Sequence, residues 1–111
     1  MIKLLKGLAL VAVAALIVAP LLSAAGNAEA GKTLYGTKCA TCHAKDGAGN
    51  PGIAKALKVE LKHLGAKETQ AKTDAELSKE ILEGTGKMKA VKLSAEDAAN
   101  VVAYVRTLKQ N

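Results

Sequence analysis

The sequence predicts an all-α domain: three main helices, with a short fourth between the first and second, wrapped around something other than polypeptide. Three observations lead there. Segments with apolar residues at helical spacing each begin with a capping side chain, and no segment alternates apolar and polar residues as a half-buried strand does. Once the N-terminal stretch is set aside, the remaining chain has no Trp, no Phe and only Tyr35 and Tyr104 as aromatic side chains. Small domains bury a modest fraction of their surface, so a core this poor in large side chains needs a disulfide, a metal or a large apolar cofactor to complete it.

The first helix is expected from about Ala28 to about Ala40, with Asn27 as N-cap and Ala30, Leu34 and Tyr35 on or near one face. The second opens at Thr73, because Thr73-x-x-Glu76 is the pattern of a reciprocal capping box. Leu77, Ile81 and Leu82 form its buried stripe, and Gly84 ends it. Ser94 opens the third, with Asp97 in the reciprocal position. Ala98, Val101, Val105 and Leu108 then recur at helical spacing, flanked by Val102 and Tyr104. Between the first and second helices lies a long connection, Lys45 to Lys72, beginning with the turn-rich Asp46-Gly47-Ala48-Gly49-Asn50-Pro51-Gly52. Ile53, Leu57, Leu61 and Leu64 allow a short helix within 53–64. A connection this long in a small domain is usually functional or wrapped around something.

The N-terminus reads as a secretory signal peptide. Met1 to Lys6 carries two lysines and no acid, Gly7 to Leu22 is apolar except for Pro20, and small residues follow from Ser23 to Ala30. Cleavage after Ala25 and cleavage after Ala30 both satisfy the small-x-small rule, and Ala25 is preferred because it keeps the Asn27 cap. The alternative is an uncleaved anchor, since the apolar run approaches the length of a membrane span. The expected organisation is a signal peptide, 1–25, and one domain, 26–111, located in the periplasm. Removing Lys3 and Lys6 lowers the formal charge from +6 to +4. That excess is spread along the chain with almost no aromatic interleaving, which argues against nucleic acid and for an anionic protein patch or membrane surface as partner.

Cys39-Ala40-Thr41-Cys42-His43 carries the chemistry. In a Cys-x-x-Cys-His arrangement two thiols add across the vinyl groups of a haem and the adjacent imidazole sits under the iron. A disulfide or redox dithiol could use the same cysteines, but a dithiol enzyme wants a strand before the motif and a βαβ pattern around it. A zinc site would want four ligands, and only His63 could add a soft one. For the second axial position the strong ligands left after processing are Met88 and His63. Met88 is preferred: it lies in a glycine-containing loop between two capped helices, flanked by lysines, where a packing role is odd unless an apolar group faces it. A thioether there raises the reduction potential.

On these residues the chain resembles the class I c-type cytochromes over nearly all of the region after the signal peptide. Gly31, Tyr35, Cys39, Cys42 and His43 stand at that family's spacing of glycine, aromatic, attachment pair and proximal ligand. The resemblance implies a small cytochrome c-like fold around one covalent haem c. In it the first and last helices cross at the glycine, Tyr104 fills the crossing, and the Pro51 carbonyl accepts a bond from the proximal imidazole Nδ1.

Iron with both axial positions filled by protein leaves electron transfer rather than catalysis, so the expected role is a soluble, monomeric carrier of single electrons between periplasmic redox partners. The alternative is a haem-bearing electron-transfer subunit of a larger periplasmic oxidoreductase. A sensor or peroxidase would need an open iron position. Lys79, Lys87, Lys89 and Lys92 surround the Met88 loop and read equally as a solvated face or as a docking patch for an acidic partner.

Overall fold

The computed structural model describes residues 26–111, so the expected signal peptide, residues 1–25, lies outside the described residues. Six helical segments follow one another: α1 (Ala28–Lys38), α2 (Ala40–His43), α3 (Pro51–Leu57), α4 (Lys67–Gln70), α5 (Asp74–Glu83) and α6 (Ala95–Thr107). No strand occurs among the described residues; the one ladder-like feature is an isolated bridge between Thr85 and Met88.

The predicted caps form. The Ala30 amide donates to Asn27 Oδ1 at 3.0 Å, and Thr73 and Glu76 complete a reciprocal capping box on α5. Ser94 Oγ accepts from the Asp97 amide at 3.0 Å, but Asp97 does not return a bond as Glu76 does. Its side chain is one methylene shorter than glutamate and does not reach back to the cap amide.

The core lies where α1, α5 and α6 meet. It comprises Tyr35 and Cys39 of the first helical stretch, Leu77 and Ile81 of α5, and Ala98, Val101, Val102 and Val105 of α6. The buried line of α1 runs Gly31, Tyr35, Cys39 at four-residue spacing, which leaves Ala30 facing solvent. Gly31 sets the distance between α1 and α6: a Cβ there would stand 1.8 Å from the Asn100 carbonyl oxygen. One turn beyond this crossing, the Tyr35 and Tyr104 rings meet with centroids 5.1 Å apart and planes tilted by 54°, within the range of favourable aromatic pairs. The Asn27 amide donates to Asn100 Oδ1 at 2.8 Å, tying the start of α1 to the same point on α6.

The long connection differs from expectation. Its helix starts earlier, at Pro51, because Asn50 caps it by accepting from the amides of Gly52 and Ile53, and proline suits the first helical position. It ends at Leu57, where Lys58 takes the left-handed conformation (φ 56°, ψ 48°), so Leu61 and Leu64 lie beyond it. The rest of the connection is bound to the end of α6. Gly65 packs against the Leu108 carbonyl, where a Cβ would approach to 1.8 Å, and its own carbonyl accepts from the Gln110 amide at 2.8 Å. Gln70 Nε2 donates to the Leu64 and Val105 carbonyls, while the Arg106 guanidinium reaches Asp74 and the Gln70 and Lys72 carbonyls.

Candidate functional site

Four-residue spacing on α1 delivers Cys39 to the inner end of the helix, where the chain breaks for one residue and restarts as α2. Cys39 is buried and Cys42 half-buried; both thiols are free. Burial, and then the neighbouring Cys42, push the Cys39 thiol above its ordinary range. The His43 imidazole is half-buried on the same turn. Burial pushes its pKa down, and its Nδ1 is enclosed without a hydrogen-bond partner.

The backbone after this turn is held from several directions. The Gly49 amide donates to the His43 carbonyl and the Asn50 amide to the Cys42 carbonyl, both at 2.8 Å. The Tyr35 hydroxyl donates to the Ala44 carbonyl at 2.5 Å. Ala44 itself has φ 66° and ψ 163°, a region that essentially only glycine occupies without strain.

The second half of the site comes from the α5–α6 connection. Gly84, with φ 82°, turns the chain out of α5, and the returning loop packs so closely on it that a Cβ would lie 2.6 Å from the Met88 carbonyl oxygen. Thr85 and Met88 exchange backbone hydrogen bonds of 3.0 and 2.8 Å, closing a tight turn that presents Met88 toward the core cluster.

These pieces line one cleft made of two cavities, of about 670 and 490 Å³, that share Cys39, His43, Glu60, Leu61, Thr85 and Met88 in their walls. Either volume falls in the range of a small-molecule or cofactor site. Cys42 lines the first cavity. Two free thiols, a half-buried imidazole and a thioether around one largely apolar cleft are a donor set that suits a covalently attached haem.

Of the residues singled out in the sequence, Cys39, Cys42, His43 and Met88 are brought together. Pro51 is not. It is exposed at the first position of α3, lines neither cavity, and its carbonyl makes no bond to His43, whose Nδ1 is without a partner. The carbonyl of a helix's first residue is directed along the axis toward the amide four residues on, which turns it away from that role. His63 lines neither cavity, and its Nδ1 accepts from the Gly65 amide at 2.9 Å in a local turn. Among the four lysines, Lys87, Lys89 and Lys92 line the larger cavity, joined by Lys38, whereas Lys79 does not. Sequence reasoning missed Lys38, Val59 and Val91 as walls. The position of Lys38 next to Cys39 was the available signal for it; Val59 and Val91 sit in irregular segments with no periodicity to read.

Comparison with known proteins agrees with this arrangement. The family model described as Cytochrome c matches residues 28–109. Cytochrome c-554(547) of Halothiobacillus neapolitanus is 35% identical over 91 residues, covering 77% of this chain and all of the relative. Among solved structures, the c-type cytochrome KustC0563 superposes with a TM-score of 0.62 at 31% identity, over 72% of this chain and 98% of its own. A match of that extent, found on a helical fold whose cleft gathers two thiols, an imidazole and a thioether, places the chain in the cytochrome c family, with one covalently bound haem c.

Proposed function

We propose that this haem-based electron carrier attaches its haem through Cys39 and Cys42, ligates the iron with His43 and Met88, and exchanges single electrons with periplasmic redox partners that dock through acidic surfaces. The observation that carries the reading is the convergence of all four side chains on one cleft, although Met88 arrives from a separate loop. Haem iron supplies a reversible one-electron change between ferrous and ferric states. The protein's part is to hold and insulate. α1 and α2 place the two thiols and the imidazole on adjacent turns, the Thr85–Met88 turn offers the thioether, and Leu61, Ile81, Val91 and Val101 line the cleft with apolar surface. With His43 and Met88 both holding a bound haem's iron, the protein itself would supply the metal's ligands, which favours electron transfer over catalysis.

The lysines support an acidic partner. Lys38, Lys89 and Lys92 line the larger cavity in a chain of formal charge +6 and are free of the salt bridges found elsewhere among the described residues. Leu57 is the exposed large hydrophobic side chain among those residues, and a single leucine is no patch, which supports a diffusing monomer over a permanently bound subunit. Export through cleavage after Ala25 is supported by what cleavage after Ala30 would remove: the Asn27 cap and its bond to Asn100. Among the described residues no helix is long and apolar enough to cross a membrane.

Absorption spectra of the purified protein in both redox states, beside Met88→Ala and His63→Ala, test the ligand set. The expected result is a low-spin spectrum with a thioether–ferric charge-transfer band that Met88→Ala abolishes and His63→Ala keeps. Carbon monoxide binding to the reduced wild-type protein without denaturant would contradict it. For docking, the association rate with an acidic redox partner should fall as salt rises, and a salt-independent rate would remove the patch.

A further inference from the structure

One corner of the cleft wall is held by a side chain that does not reach the cleft. The turn from α4 into α5 brings Thr69 and Lys72 to the smaller cavity, where the Lys72 ammonium donates to Glu80 Oε1 at 2.7 Å. Glu80 lines that cavity too, its side chain is only 29% exposed, and Lys72 is its one salt-bridge partner among the described residues. Without the ammonium, a partly buried carboxylate would stand uncompensated on the wall of a largely apolar cleft, where screening by solvent and salt is weak.

The backbone that delivers Lys72 is fastened from α6. Arg106 Nη2 donates at 2.7 Å to the Lys72 carbonyl, to which no backbone amide of the described residues donates. Nη1 donates to the Gln70 carbonyl at 3.0 Å, and Nε and Nη2 converge on Asp74 Oδ1 at 3.0 and 2.7 Å. One guanidinium therefore bonds Lys72 and the chain on both sides of it, with a planar fork that a lysine ammonium does not reproduce. Arg106 itself lines neither cavity.

From this we propose that Arg106 is a positioning residue for the redox site: it holds the α4–α5 turn so that Lys72 stays against Glu80 and cancels that carboxylate's charge beside the haem. The inference rests on the haem occupying this cleft through Cys39 and Cys42. An uncancelled negative charge there favours the more positive ferric iron, so loosening the turn lowers the reduction potential.

The test is the reduction potential of haem-loaded variants. Lys72→Gln should shift the equilibrium about two- to fivefold toward the ferric form, a fall of about 20–40 mV for a one-electron couple. Arg106→Lys keeps the charge and loses the fork, so its potential should fall in the same direction. On a Lys72→Gln background it should add nothing, because it acts through Lys72. Lys79→Gln removes the same charge from an exposed α5 position that lines neither cavity, and should change the potential less. A purely structural Arg106 would lower the denaturation midpoint of Arg106→Lys and leave its potential at the wild-type value. That result, an undiminished fall on the Lys72→Gln background, or equal effects of Lys72→Gln and Lys79→Gln would overturn the proposal. A wild-type intact mass without bound haem would fail the attachment reading itself, an outcome distinct from a haem-bearing protein whose potential ignores Lys72 and Arg106.

Discussion

Replacing Gly31 with alanine should destabilise the protein, whereas the same replacement at Gly36, five residues along α1, should stabilise it. A Cβ on Gly31 would stand 1.8 Å from the Asn100 oxygen and 2.5 Å from its carbonyl carbon. Both are backbone atoms of α6, so no side chain can swing aside, and the helices would have to part by roughly 1.5 Å to reach ordinary contact. Overpacking of this kind costs about 1–3 kcal/mol, and the upper end applies because the displacement also loosens the Tyr35–Tyr104 contact one turn away. Alanine returns about 1 kcal/mol of helix propensity, leaving a net loss of about 2 kcal/mol. A domain of this size shifts by about 4–8 °C per kcal/mol, so Gly31→Ala should melt roughly 8–16 °C lower. A Cβ on Gly36 meets nothing within 4 Å, so only the propensity gain of about 0.5–1 kcal/mol remains there. Thermal denaturation of the two haem-loaded variants, followed by far-ultraviolet circular dichroism, reads the contrast directly. Equal midpoints, or a Gly31→Ala midpoint at or above wild type, would refute the claim that this glycine sets the helix crossing.

Further expectations concern the cysteine turn and the cofactor. Tyr35→Phe should cost about 1 kcal/mol by removing the donor to the Ala44 carbonyl. It should also flatten the alkaline limb of stability. Burial, aided by nearby Tyr104 and Asp46, raises the Tyr35 phenol well above its ordinary value, so the unfolded chain loses this proton first; the contribution is complete below about pH 10 and is lost as pH rises beyond. Identical slopes for the two proteins between pH 9 and 12 in denaturant titrations would contradict that reading. Ala44→Gly should raise the denaturation midpoint by relieving backbone strain worth about 1 kcal/mol, and an unchanged or lower midpoint would show that the conformation is not strained. A Cys39→Ala, Cys42→Ala double variant should be largely unfolded, because Tyr35 is the only aromatic ring in the buried core and the cleft walls depend on the cofactor for contacts; native helical circular dichroism without haem would disprove the coupling.

Much of this molecule was legible in the sequence because it is encoded over a few residues. A cap needs a side chain and an amide three positions on, so Asn27, Thr73 and Ser94 announced their helices. The attachment motif is likewise set by the covalent spacing of two thiols and an imidazole. Even the crossing of α1 and α6 could be expected, through family likeness, from Gly31 and Tyr104. Other features depend on where a distant segment returns. Asn50-Pro51 reads as part of a turn-rich run, and the fold made it a cap with its first helical residue, with the Pro51 carbonyl making no bond to His43. The bond between Lys87 and Leu57, the packing of Gly65 on Leu108 and the local turn that occupies His63 leave no pattern along the chain. Helix starts and the thiol–imidazole set were determined locally, by geometry within one or two turns; which carbonyl the Lys87 ammonium reaches, and which glycines meet the last helix and its end, were decided when non-local contacts closed the cleft.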